Sequence, residues 1–288
     1  MKSLREVIKE ADEKGVAIGH FNVSNLEMLK GVFEAAKELN QPVIVGVSEG
    51  ERDYIGVEQI VALVRSLREE HDFPIFLNAD HSYSFERVKE AIDAGFDAVI
   101  FDGAKLLLGD NTQITKQCVD YAKASGKDVL IEAEIGYIGM SSQVIDTVPE
   151  GIDLKNFTKP EEAESFVNST GIDLFAPSVG NIHGFIKGIG NPALSISSIR
   201  DIKNKINTPL VLHGGSGISE EDFKEAIRAG IRIVHISTEM RVLYQKSTKE
   251  AVDKSIEENQ VAPYKYDSAV VDDLKDFVKR YILMFSGV

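Results

Sequence analysis

Cysteine is almost absent from this sequence of 288 residues, in which Cys118 stands alone. A single cysteine excludes an intramolecular disulfide framework and fits a reducing cytoplasm. Cys118 lies at helical spacing from Ile114 and Tyr121, so we predict a buried, small apolar side chain rather than a reactive thiol.

Long apolar segments are absent as well. No run reaches the roughly 18 apolar residues that a membrane-spanning helix requires. Residues 1–15 lack the apolar centre of a signal peptide. We therefore expect a soluble, cytoplasmic protein that does not associate with membranes.

Basic residues are outnumbered, with 32 lysines and arginines against 46 aspartates and glutamates and a formal net charge of −14. A field of this sign repels nucleic acid and anionic lipid, so we expect no nucleic-acid partner. It also repels anionic metabolites. Any phosphate site must therefore be built locally from helix ends, backbone N–H groups and one or two cations.

The sequence does contain a regular alternation of apolar strands and amphipathic helices. The predicted strands are continuous Val, Ile and Leu runs, as expected for strands buried on both faces. They occupy residues 15–23, 42–47, 74–80, 97–102, 128–135, 172–178, 209–215 and 231–237.

Eight parallel strands with crossover helices predict an α/β protein with a (β/α)8 TIM barrel. We expect one domain over residues 1–288, with an extra C-terminal helix at 269–285. A doubly wound open sheet is the competing fold, but it usually carries a glycine-rich loop after its first strand, which this chain lacks.

Histidines collect at one end of the predicted barrel. Four of the six fall at or just beyond strand ends: His81, His183, His213 and His235. Active sites of this fold form at that end, and imidazoles that converge there make a good zinc site with a position open for substrate. His71 is predicted to be solvated at the opposite end. His20 fits either a substrate contact or a barrel-rim residue with satisfied hydrogen bonds.

Acidic residues stand at the same end. Asp80 is either an acid/base that moves a proton to or from a hydroxyl, or a helix cap or supporting acid. Glu132 and Glu134 share one strand face, and buried acids require a cation or hydrogen-bond donors. A second ion near Glu134 and Asp102 is one interpretation, and a salt link to a lysine or arginine is the other.

Two glycine-rich turns follow predicted strands, at residues 180–184 and 213–217. Their N–H groups can hold a phosphate with help from a helix dipole, although tight turns need glycine for conformational reasons alone. Lys187 either supplies a positive charge to this phosphate or is a solvated loop lysine.

Segments along nearly the whole chain resemble, in the same order, motifs of class II fructose-bisphosphate and tagatose-bisphosphate aldolases. The two most specific read NADHSYSFERVKEAIDAGFDAVIFDG (78–103) and PLVLHGGSGIS (209–219). The resemblance implies a zinc-dependent aldehyde-lyase of carbohydrate metabolism and glycolysis. It would cleave a phosphorylated ketose, most typically a ketose 1,6-bisphosphate, to dihydroxyacetone phosphate and glyceraldehyde 3-phosphate. It also implies a homodimer or homotetramer.

The resemblance further implies roles for individual residues. His81, His183 and His213 match the zinc ligands, and Asp80 matches the acid/base at the C4 hydroxyl. A second ion, divalent or monovalent, would lie at Asp102 and Glu134. The matching substrate contacts are Ser48, Gly184, Lys187, Gly214, Gly215, Ser216 and Thr238. We expect His235 and Ser237, which stand at strand 8 positions of the same pocket, to contact the substrate as well.

Three segments depart from the family pattern. Ser141 and Ser142 stand where the family has acids, and His235 replaces an asparagine. Residues 264–270 lack an arginine that binds the distal phosphate in some members. We interpret these departures as a change in the second half of the substrate, with His235, Asp146 or Glu150 in place of the missing acid.

Two alternatives to a ketose-bisphosphate aldolase therefore stay open. One is a class II aldolase for a different phosphorylated ketose or a deoxy sugar. The other is a catalytically weak member that binds metal and sugar phosphate.

Overall fold

The computed structural model describes residues 2–139, 143–148, 152, 157–188 and 191–287. Within this part of the chain eight parallel strands form a closed barrel, so the predicted fold is confirmed. In chain order the strands are β1 (Ile18–Asn22), β2 (Val43–Val47), β3 (Ile75–Ser82), β4 (Ala98–Phe101), β5 (Leu130–Ile135), β6 (Val144–Ile145), β7 (Leu174–Pro177), β8 (Phe185–Ile186), β9 (Leu210–Leu212) and β10 (Ile231–Ile236). All except β6 and β8 belong to the barrel, and those two pair with each other.

Helices surround the barrel and pack their apolar faces on it. Those between barrel strands are α2 (Leu26–Leu39), α3 (Glu49–Ile55), α4 (Val57–His71), α5 (Phe85–Ala94), α6 (Leu108–Ser125), α7 (Pro160–Thr170), α8 (Ile196–Lys203) and α9 (Glu220–Ala229). After the last strand follow α10 (Thr238–Glu257) and α11 (Pro263–Ser286). On α5, for example, Val88, Ala91 and Ile92 form the buried face.

The amino-terminal end of the barrel is closed by a helix that the sequence analysis missed, α1 (Leu4–Lys14). Its Leu4, Val7 and Ile8 join one apolar cluster with strand residues such as Ile44 and Phe76. A capping box between Ser3 and Glu6 begins this helix. α1 therefore covers the amino-terminal end of the barrel, opposite the carboxyl ends of the strands.

Two further elements differ from the prediction. α11 begins at Pro263 rather than at residue 269, since proline at the first helical position leaves no backbone donor unpaired. The short helix α3 precedes α4, and Ser48 caps it through a capping box with Glu51. This extra helix places residues 48–51 beside the carboxyl end of β2.

The structure also tests two predictions about single side chains, those of Cys118 and His71. Cys118 is buried, as predicted, and burial raises the pKa of its thiol to about 12. His71 is half-buried at the end of α4 rather than fully solvated, since its ring stacks on Phe33 at 5.0 Å and its Nδ1 lies 3.2 Å from Lys37 Nζ. Among the described helices none is long and apolar enough to cross a membrane.

Candidate active site

Three histidines from different segments converge at the carboxyl ends of the strands. His81 ends β3, His213 directly follows β9, and His183 lies in the loop between β7 and β8. Their rings lie 4.8, 4.9 and 6.0 Å apart, centroid to centroid. One nitrogen from each lies within 4.8 Å of the other two, which is a spacing that fits a metal ion.

Each of these rings is oriented by an acceptor on its other nitrogen. His81 Nδ1 lies 3.0 Å from Asp102 Oδ2, and His183 Nδ1 donates to the Gly139 carbonyl at 2.8 Å. His213 Nε2 lies 2.6 Å from Glu132 Oε1. These acceptors fix the rings so that the remaining nitrogens face one another, which is the arrangement typical of metal-binding histidines. The sequence analysis had assigned Glu132 no partner.

The backbone at His81 explains how two adjacent residues face the same space. Side chains alternate along a strand, so Asp80 and His81 would ordinarily point to opposite faces. At His81 φ is 48°, a left-handed value rare for residues other than glycine, and the register with β4 shifts between Ala79 and Ser82. Both side chains consequently line the same cavity.

The histidines lie among four buried carboxylates, which perturb their titration. Burial lowers the pKa of His81, but Asp80 and the hydrogen bond to Asp102 together raise it to about 9. Burial also lowers the pKa of His213, but the carboxylates of Glu132 and Glu134 have the larger effect and raise this pKa well above its ordinary value. This excess of negative charge favours a cation at the histidine cluster.

Asp80 lies at the centre of the site. Its Oδ2 accepts a hydrogen bond from Asn22 Nδ2 at 2.8 Å, and its Oδ1 lies 3.5 Å from His235 Nδ1 and 3.7 Å from His81 Nε2. Burial tends to raise the pKa of this carboxyl, but His81, His235 and His20 hold it well below its usual range. Asp80 is therefore ionised at neutral pH.

His235 is stacked on His20 inside the barrel. The two rings are 3.5 Å apart and inclined by 6°, and a Cβ atom at Gly46 would overlap the His20 ring. Neither ring nitrogen of His20 has a hydrogen-bond partner among the described residues. The interpretation of His20 as a barrel-rim residue with satisfied hydrogen bonds was therefore wrong. His20 does not line the cavity either, although His235 does.

The two acids expected to hold a second ion are also close together. His81, Asp102 and Glu134 form a second group of donor atoms within 4.8 Å of one another. Burial, followed by the Asp102 charge, raises the pKa of Glu134 to about 7. No lysine or arginine pairs with Glu134 among the described ion pairs, which disfavours the salt link considered from the sequence.

A cavity of about 210 Å³ opens above these groups. The predicted contacts at one end come from glycine-rich turns and the start of α10: Gly184, Gly214, Gly215, Ser216, Ser237 and Thr238. Ser216 Oγ accepts hydrogen bonds from Ser237 N and Glu239 N, so it caps α10. Gly214 needs glycine, since its φ is 62° and a Cβ would overlap the Ile182 carbonyl.

The other end of the cavity contains the predicted Ser48 together with residues that the sequence analysis missed. These are Asn22, Glu49, Gly50, Tyr83 and Arg241. Asn22 and Glu49 lie in segments already matched to the family, so their positions at strand ends were the available signal. Arg241 lies one turn into α10, where the sequence shows only an ordinary helix.

Several other expected residues lie elsewhere. Lys187 is exposed and is not among the residues that line the cavity. Asp146 is exposed after β6 and does not line the cavity either. Ser141, Ser142 and Glu150 lie outside the described residues. Residues 264–270 form the start of α11, and none of them lines the cavity.

The histidine triad at the mouth of the parallel barrel is a group of donors that could hold a metal ion, and a carboxylate lies beside it. Comparison with known proteins gives the class: the family described as fructose-bisphosphate aldolase class-II matches residues 2–287. The chain therefore belongs to the class II fructose-bisphosphate aldolase family, whose members are lyases and typically depend on a metal ion.

Individual relatives agree with this assignment. The chain is 36% identical over 288 residues to a fructose-bisphosphate aldolase of Staphylococcus epidermidis, covering 98% of this chain and 96% of that protein. It is 39% identical over 255 residues to a fructose-bisphosphate aldolase of Geobacillus stearothermophilus, covering 88% and 86%. The crystal structure of the YdjI aldolase from Escherichia coli superimposes with a TM-score of 0.82 at 29% identity, covering 99% and 97%.

Proposed function

We propose that the chain is a zinc-dependent aldolase that cleaves, or in reverse forms, the C3–C4 bond of a ketose phosphorylated on C1. The observation that carries this proposal is the convergence of His81, His183 and His213 beside Asp80, each ring oriented by its own acceptor. Three imidazoles with an open position suit zinc, although the same ligands bind other transition metals.

The donor set fits such an ion. His81 Nε2, His183 Nε2 and His213 Nδ1 are the nitrogens left over by the three acceptors, and His213 Nδ1 lies 3.2 Å from Glu134 Oε2 without forming a well-aligned hydrogen bond. When bound, the ion supplies positive charge that polarises the substrate carbonyl and stabilises the negative charge developing on its oxygen. We place a second, divalent or monovalent cation at Asp102 and Glu134.

Asp80 is the residue we assign to proton transfer. In cleavage it accepts the proton of the C4 hydroxyl while the C4–O bond becomes a carbonyl and the C3–C4 bond breaks. Asn22 holds Oδ2 through a hydrogen bond, and His235 Nδ1 lies 3.5 Å from Oδ1, which has no hydrogen-bond partner among the described residues. The low pKa of Asp80 keeps it ready to accept this proton at neutral pH.

We assign the C1 phosphate to the glycine-rich end of the cavity. Gly184, Gly214 and Gly215 let the backbone approach closely, and Ser216, Ser237 and Thr238 surround the start of α10. This loop position after the last two barrel strands is the usual phosphate site of the fold, and the helix dipole favours an anion there. The exposed Lys187 is not needed for this assignment.

We also propose a substrate, an oligomeric state and a cellular location for the protein. The relatives named above, which are fructose-bisphosphate aldolases, make fructose 1,6-bisphosphate the first compound to assay, and the resemblance in sequence adds tagatose 1,6-bisphosphate. One domain over residues 1–288, a homodimer or homotetramer and a cytoplasmic location are what the sequence predicts. Sedimentation equilibrium measures the assembly.

An enzyme-coupled assay for dihydroxyacetone phosphate tests the proposed reaction. Zinc-loaded protein is given the fructose and tagatose 1,6-bisphosphates and the corresponding 1-phosphates, with and without a chelator. We expect chelator-sensitive cleavage of at least one of them, restored by zinc. No cleavage of any compound by zinc-loaded protein would reject the reaction and favour the member that only binds sugar phosphate.

A further inference from the structure

A buried glutamate on α3 and an arginine on α10 meet at the end of the cavity formed by Asn22, Ser48 and Glu49. Arg241 is the only lysine or arginine lining the cavity in the described part of the chain. Its Nη2 donates to Glu51 Oε1 at 2.6 Å. The guanidinium therefore lies beside α3, next to Ser48 and Glu49.

Glu51 is held firmly in this position. Its Oε2 accepts hydrogen bonds from Ser48 N at 2.8 Å and Asn22 Nδ2 at 3.1 Å, and its side chain is 8% exposed. Asn22 Nδ2 also donates to Asp80 Oδ2, so one amide bridges the two carboxylates. Donors on both oxygens stabilise the ionised form of a buried carboxylate and fix its geometry.

The balance of charge at this end is consequently unfavourable for a second phosphate. Glu49 also lines the cavity and Glu51 pairs with Arg241, so two acidic side chains accompany one guanidinium here. The neighbouring Arg87 lies 3.8 Å from Glu49 but pairs more closely with Asp53.

The arginine of α3, Arg52, does not contribute its charge to the cavity. Arg52 is fully buried, does not line the cavity, and donates to the carbonyls of Val47 and Asp80 and to Ser82 Oγ. Among the residues that the structure describes, the positive charge accessible from the cavity at this end is therefore that of Arg241, which pairs with Glu51.

We propose that this end of the cavity binds an uncharged, polyhydroxylated group, so that the chain cleaves ketose 1-phosphates in preference to ketose 1,6-bisphosphates. Glu51 is the residue that sets the preference. The free guanidinium N–H groups, Ser48 and Glu49 together offer donors and acceptors for hydroxyls, whereas a phosphate dianion meets two like charges. This inference rests on the proposed aldolase reaction and narrows its substrate.

The test compares kcat/KM for fructose and tagatose 1-phosphates with that for their 1,6-bisphosphates. It uses zinc-loaded wild type, Glu51→Gln and the control Glu58→Gln, which changes an exposed glutamate on α4. We expect wild type and the control to favour the 1-phosphates at least about tenfold, since like charge at a binding site rejects the wrong partner. Glu51→Gln keeps the shape of the side chain and should move the ratio towards the bisphosphates by about tenfold.

Binding of reduced, uncleavable analogues provides a readout that does not depend on turnover. Calorimetric titration of wild type with a hexitol 1-phosphate and a hexitol 1,6-bisphosphate should show the same preference. Tighter binding and faster cleavage of the bisphosphates by wild type would overturn the proposal, whether or not Glu51→Gln folds. If folded Glu51→Gln has the same ratio of kcat/KM for 1-phosphates and 1,6-bisphosphates as wild type, Glu51 does not set the preference. If the protein binds the monophosphate preferentially but cleaves no compound, the proposed aldolase reaction is rejected. The proposal that the cavity beside Glu51 and Arg241 binds an uncharged group then still stands.

Discussion

Glu132 Oε1 lies 2.6 Å from His213 Nε2, and both side chains are fully buried inside the barrel. This contact holds the ring so that His213 Nδ1 faces His81 and His183. Removing the carboxylate charge with Glu132→Gln should weaken zinc binding by about 10- to 100-fold, as is typical when such a supporting partner is lost. Competition with a chelating dye measures the affinity. Equal affinities for Glu132→Gln and the surface variant Glu58→Gln would show that this contact does not support the metal site.

Asp80→Asn separates proton transfer from metal binding. The amide has nearly the same shape but cannot accept the C4 hydroxyl proton, so kcat should fall by about 10²- to 10⁴-fold. Zinc content should stay at the wild-type level, because the three proposed ligands are unchanged. Measured turnover and metal content on the same preparation give both values. Turnover close to wild type would assign the proton transfer to another residue.

The stacked pair of His20 and His235 should behave as one unit. Aromatic stacking contributes about 0.5–1.5 kcal/mol, so His20→Gln should release the His235 ring and lower kcat by a few-fold to about tenfold. If His20 acts only through His235, the double variant with His235→Asn should be no slower than His235→Asn alone. A double-mutant cycle on kcat tests this coupling. Additive losses would instead indicate that His20 and His235 act independently.

Zinc affinity should increase with pH. The pKa of His81 is raised to about 9 and that of His213 is raised well above its ordinary value, so both rings hold protons at neutral pH before metal binds. For each ring from which zinc displaces a proton, the apparent zinc affinity should rise about tenfold for every unit of pH, as long as the pH is below the pKa of that ring. Dye competition at pH 6, 7 and 8 follows this dependence. A flat profile over that range would mean that these rings are already neutral.

Much of the fold and part of the site followed from local patterns in the sequence. Strands buried on both faces are continuous apolar runs, and eight of them with crossover helices leave few alternatives to a barrel. Because parallel strands end at the same face, residues at strand ends such as His81 and His213 were expected to meet. The glycine-rich turn at 213–217 was located for the same reason.

The features that the sequence did not reveal depend on distances across the barrel. Arg241 and Glu51 are 190 residues apart, and His213 and Glu132 are 81 apart, so their pairing follows from strand register and helix placement. The left-handed backbone at His81 has no signature in the residue type. The two-residue strands β6 and β8 are too short to give a periodic pattern.

The most direct test of this account is a zinc titration of chelated protein in which cleavage of a ketose phosphate and bound zinc are measured together. The account predicts no cleavage without metal and a linear rise in activity as the histidine triad fills, until one zinc is bound per triad. Further ions, including one at Asp102 and Glu134, should then change the rate only modestly. His183→Ala should remove the rise. Full cleavage by metal-free protein, or a wild-type response in His183→Ala, would contradict the assignment of the catalytic metal to His81, His183 and His213.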